Sequence, residues 1–101
     1  MPPPIARTYV VDGNLKALGY EQVTGLTAAK TLTIPTGARV VALQAQDQDI
    51  RWRDDGTDPT ATVGMILIAG DRPFLYNGND LTALSFFEAA ATAILNVTYY
   101  S

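Results

Sequence analysis

Hydrophobic and polar positions along this chain alternate over short stretches, and a period of two predicts β-strands. The cleanest case is Ile50–Arg53, where Ile50 and Trp52 fall on one face and Arg51 and Arg53 on the other. Lys30–Ile34 reads the same way, with Leu32 and Ile34 opposite Thr31 and Thr33. Ala6–Val11, Leu18–Val23, Ala38–Gln46, Pro73–Tyr76, Leu81–Ala89 and Thr92–Tyr100 carry further β signals. Gly64–Gly70 is an apolar run bracketed by glycines and is predicted to be a central strand.

Turn residues separate these stretches, at Asp12-Gly13-Asn14, Pro35-Thr36-Gly37 and Asn77-Gly78-Asn79-Asp80. Helix-forming residues compete in two segments, Asn14–Gln22 and Phe87–Leu95. Neither sustains an apolar period near 3.6 residues, so both are assigned to strand or loop. The sum is about eight short strands with turn signals every 8–12 residues or so, an all-β chain expected to form a small antiparallel, jelly-roll-like β-sandwich. Pro2, Pro3 and Pro4 fit neither a helix nor a central strand. They predict an extended arm over residues 1–5, suited to lying on a neighbouring subunit, ahead of one sandwich domain over residues 6–101.

Composition narrows the function classes. The 101 residues suffice for one domain with its own core. Cysteine and histidine are both absent, which removes disulfides, thiolate metal sites, the commonest general base and any histidine-based triad. The net charge is −3, with two lysines and five arginines that form no run, so nucleic acid is not an expected partner. No stretch approaches the ~20 apolar residues of a membrane span, and the start lacks a basic and then apolar signal pattern. Synthesis in the cytoplasm and no membrane partner are expected. Only 17% of residues are charged while 48% are hydrophobic, which fits a surface partly covered by another molecule.

The densest chemistry lies in "DIRWRDDGTDPTATVGMILIAGD", Asp49 to Asp71. A calcium loop would need alternating acids, a mid-loop glycine and a distal glutamate. Asp54, Gly56 and Asp58 alternate, but the glycine is misplaced, no glutamate follows, and Arg51 and Arg53 repel a cation. Acid–base catalysis needs a cleft and partners, and Glu21, Asp80 and Glu88 stand in no motif. The chain is therefore expected to be no enzyme and to hold no cofactor or metal.

A structural reading accounts for more of these residues. Asp55-Gly56 makes a turn. Asp54 and Asp58 are expected to accept from loop amides. Arg51 and Arg53 would pair with Asp47, Asp49 or a partner's carboxylates, Trp52 would anchor the core, and the loop over residues 54–63 would cross between sheets. In Phe86-Phe87 and Tyr99-Tyr100, one ring of each pair should face outward. The candidate contact residues are Arg51, Arg53, Asp54, Asp55, Asp58 and Tyr100. Exposed aromatics also suit a carbohydrate- or receptor-binding module, the alternative class.

From about Leu32 to Tyr100 the chain resembles small virion proteins of tailed bacteriophages. The features that carry the likeness are "IPTGA" (Ile34–Ala38), "RWRDDGTDPTATVGM" (Arg51–Met65), the glycine-bounded strand and the closing "LNVTYY" (Leu95–Tyr100). The resemblance implies a short β-sandwich without catalytic residues, of a kind that includes capsid decoration or cement proteins. It implies residence in the virion after synthesis in the host bacterial cytoplasm, and contact with the major capsid protein or another virion protein. A homo-oligomer is expected, a trimer ahead of a dimer.

Overall fold

The computed structural model describes residues 13–78 and 80–101. The predicted arm and the Ala6–Val11 strand lie outside the described residues. Among the described residues seven strands are formed: β1 (Ala17–Val23), β2 (Val40–Gln46), β3 (Ile50–Arg53), β4 (Met65–Leu67), β5 (Phe74–Asn77), β6 (Ser85–Glu88) and β7 (Ile94–Tyr100). They make a four-stranded sheet, β1-β7-β2-β5, and a three-stranded sheet, β4-β3-β6. All pairings are antiparallel.

The connectivity is that of a jelly roll. Lys30 makes an isolated antiparallel bridge with Phe86 of β6, at the place where an eighth strand would sit. With that bridge as the second strand position, the chain pairs as one long hairpin rolled up. Its rungs are β1 with β7, Lys30 with β6, β2 with β5, and β3 with β4.

Alternation sends one face of each sheet into a shared core. Val41, Leu43 and Ala45 of β2 and Leu95, Val97 and Tyr99 of β7 meet Ile50, Trp52, Leu67 and Phe86 from the other sheet. The adjacent aromatics divide as expected: Phe86 and Tyr99 are buried, while Phe87 and Tyr100 are partly exposed. Gly37, at φ +90°, completes a turn in which the Ala38 amide donates to the Pro35 carbonyl at 3.2 Å.

Three expectations are corrected. Lys30–Ile34 alternates in burial, with Leu32 buried and Thr31 and Thr33 exposed, but it is not a ladder strand. Part of its backbone is held by a side chain instead: the Thr33 amide donates to Glu21 Oε2 at 3.1 Å. Gly64–Gly70 yields an edge strand, because β4 ends its sheet. The loop over residues 54–63 joins β3 to β4, neighbours in one sheet, and so does not cross between sheets.

Candidate functional site

The loop between β3 and β4 folds back over the outer face of its own sheet. Gly56, at φ +84°, lets it reverse after Asp55. Arg53 donates to Asp55 through Nε at 3.0 Å and Nη2 at 2.5 Å, and the Thr57 amide donates to Asp55 Oδ1 at 3.4 Å. The hydrogen bond from Arg53 holds the Asp55 carboxyl below the usual carboxylate range.

Asp54 and Asp58 do not accept from loop amides as expected. Tyr76 of β5 donates its hydroxyl to Asp54 Oδ2 at 2.6 Å, and Ser85 of β6 donates to Asp58 Oδ1 at 2.9 Å. The bond to Asp54, helped by desolvation, raises the pKa of the Tyr76 hydroxyl above its ordinary value. The loop's acids are thus fixed to residues on neighbouring strands, which a loop read in isolation cannot reveal.

The arginines are corrected likewise. Neither pairs with Asp47 or Asp49; Asp49 accepts from the Ala69 amide at 2.8 Å. Arg51 points outward, but Nη1 donates to the Gly64 carbonyl at 3.0 Å, and its Nε is buried without a partner among the described residues. Gly64 is confined as well. A Cβ there would lie 3.0 Å from Pro59 Cβ and 3.2 Å from the Trp52 carbonyl, at a φ of +139°. Arg51 and Arg53 of β3 and Asp54, Asp55 and Asp58 of the loop therefore gather in one region, bonded within itself and to β5 and β6. Tyr100, the sixth candidate, is on the outer face of the other sheet. Among the described residues no group of three or more acids converges on a metal position.

Sequence reading missed the flank beside this loop. β4 ends the three-stranded sheet and β5 ends the four-stranded one. Val63, Met65, Ile66, Ile68, Phe74 and Leu75 are exposed along them, Met65 to 61%. Ile66, Ile68 and Phe74 line one hollow with Leu43, and Asp71 and Arg72 sit at it too. Beneath it Trp52, 8% exposed, packs on Phe74 and Tyr76 with ring centroids 5.7 and 5.8 Å away.

The opposite flank is finished differently. There the β6 edge is occupied: Lys30 exchanges two backbone bonds with Phe86, at 3.0 and 2.9 Å, and the Glu88 amide donates to the Leu26 carbonyl at 3.0 Å. An open edge strand with exposed branched side chains invites pairing or packing by another chain. The available sequence signal was the run Met65–Ile68, which has too few polar residues for a solvated edge.

Comparison with protein-family models, with curated proteins and with solved structures finds no match to this chain. Among the described residues no helix is long and apolar enough to cross a membrane.

Proposed function

We propose that this chain is a non-enzymatic structural protein of a tailed-phage virion, of the capsid decoration or cement kind, acting through its β4–β5 flank. The observation that carries the reading is that flank: apolar side chains exposed on two adjacent sheet edges, with charged residues beside them. Interfaces commonly have this arrangement, an apolar centre within a polar rim. The flank packs against another subunit, a further copy of this chain or the major capsid protein. Copies associate with one another, as a trimer ahead of a dimer. The loop beside the flank, tied to β5 and β6 by Asp54 and Asp58, sets the shape of the contact.

The test is co-sedimentation with assembled heads of the virion, comparing the unaltered chain with an Ile66→Lys, Ile68→Lys double variant. Both positions are exposed, so the variant should stay folded, with stability changed by only about 0.5 kcal/mol per site. The unaltered chain is expected to pellet with heads and the variant to remain in solution. Equal pelleting of the two, or of neither, contradicts the reading.

A further inference from the structure

Beside the β4–β5 flank, the outer face of the four-stranded sheet carries an organised polar surface of its own. Tyr20 and Gln22 of β1, Asn96 and Tyr100 of β7, and Gln44 and Gln46 of β2 line one shallow depression there. Strand register explains the gathering. Gln22 and Gln44 both sit opposite Asn96, so the three amides form one row across β1, β7 and β2.

The row is held by its own bonds. Asn96 Oδ1 accepts from the Tyr20 hydroxyl at 2.6 Å and from Gln22 Nε2 at 3.0 Å. Its Nδ2 donates to Gln46 Oε1 at 3.1 Å. Gln44 Nε2 donates to the Asp71 carbonyl at 3.1 Å, which fixes the other end of the row. An amide side chain has a donor end and an acceptor end. The bonds above use the donor ends of Gln22 and Gln44 and the acceptor end of Gln46. Their opposite ends, two carbonyl oxygens and one amino group, are not used by these bonds.

Charge and shape select the class of ligand. No acidic or basic side chain lines the depression among the described residues, so an ionic ligand would lose water there without gaining a counter-charge. A purely apolar ligand would cover the amides and leave them without partners. A hydroxyl both donates and accepts, and suits a mixed set of carbonyl and amino ends. Tyr20 is 60% exposed at the margin, and its ring offers a flat apolar surface to the C–H face of a pyranose. We propose that this face is a binding site for a neutral oligosaccharide, held by the Gln22–Asn96–Gln44 row and Tyr20. The site adjoins the β4–β5 flank at Gln44, but Ile66 and Ile68 do not line it, so it stands whether or not that flank assembles.

The test is titration calorimetry of the full chain against a panel of soluble neutral hexasaccharides (cello-, malto-, laminari-, xylo- and manno-), with a heparin hexasaccharide as the charged control. Saturable binding of at least one neutral member is expected, with none of heparin. Tyr20→Ala, Asn96→Ala and, separately, Gln44→Ala should each weaken it by about tenfold, the effect of one lost hydrogen bond or stacking contact. Three variants keep the test open if one fails to fold by circular dichroism. The Ile66→Lys, Ile68→Lys variant should bind the saccharide unchanged, which separates this site from the assembly flank. Absence of saturation at millimolar concentration across the panel overturns the proposal. So does preference for heparin, or undiminished binding by the folded face variants. A change in self-association of those variants without any saccharide binding would make the face a protein contact and also overturns it.

Discussion

The loop over residues 54–63 and the outer face of the four-stranded sheet make opposite use of polar side chains. With the arginines at its root, the loop belongs to the most charged stretch of the chain, and it turns that charge on itself and its neighbours: Arg53 on Asp55, Tyr76 on Asp54, Ser85 on Asp58, Arg51 on the Gly64 carbonyl. Among the described residues no charged side chain lines the depression of the sheet face, and the network around Asn96 leaves amide ends that it does not itself use. High charge density is therefore not the same as free binding capacity, because a group already paired within the chain must break that pair to bind anything else.

The comparison is tested most severely at the root of the loop. Trp52→Ala should cost about 3–5 kcal/mol, because a buried aromatic leaves a cavity that Phe74 and Tyr76 cannot fill. Urea unfolding measures it, and a near-neutral result would place the indole at the surface. A smaller loss is expected from Gly64→Ala, about 1–3 kcal/mol, since the new Cβ meets Pro59 and the Trp52 carbonyl in a backbone conformation alanine rarely adopts. Loop protection in hydrogen exchange should fall with it. An unchanged exchange pattern would mean that the loop is not seated by this contact.

The sheet face has its own support from below. Tyr99, on the inner face, donates its hydroxyl to Glu21 of β1, which also accepts from the Thr33 amide. Burial first, and then this bond, hold the Tyr99 pKa well above the ordinary tyrosine value. A raised folded-state pKa gives stability that is complete below the unfolded value near 10 and is lost as pH climbs above it. Stability should therefore fall above pH ~10, and Tyr99→Phe should flatten that limb in unfolding followed against pH. The smallest effect is expected at Arg53. Arg53→Ala should leave the unfolding midpoint unchanged, because this ion pair is exposed. The Asp55 carboxyl should rise toward its ordinary range, readable by NMR titration. A marked loss of stability would make the pair a structural element of the loop.

How far the sequence revealed this molecule differed from region to region. Ile50–Arg53 was legible to the residue, since each side chain matches its face. The jelly-roll character followed from the count and spacing of short strands. Lys30–Ile34 misled because alternation reports burial, and an extended segment can bury alternate residues while Glu21 takes one of its amides. Gly64–Gly70 misled because an apolar run reads as buried, whereas here it forms an edge strand with Met65, Ile66 and Ile68 exposed. The loop's residues were recognised, but their partners Tyr76 and Ser85 lie 22 and 27 residues away. The Asn96 network was invisible for the same reason: its members are separated by 50 to 76 positions and meet only through strand register.

Whether the β4–β5 flank is a contact surface is decided by solution mass from light scattering after size exclusion, across a concentration series. A contact flank gives a mass of several times the 10.8 kDa chain, a trimer ahead of a dimer, collapsing to one chain in the Ile66→Lys, Ile68→Lys variant. A single-chain mass for the unaltered protein at every concentration, or an oligomer that the double variant leaves intact, would contradict it.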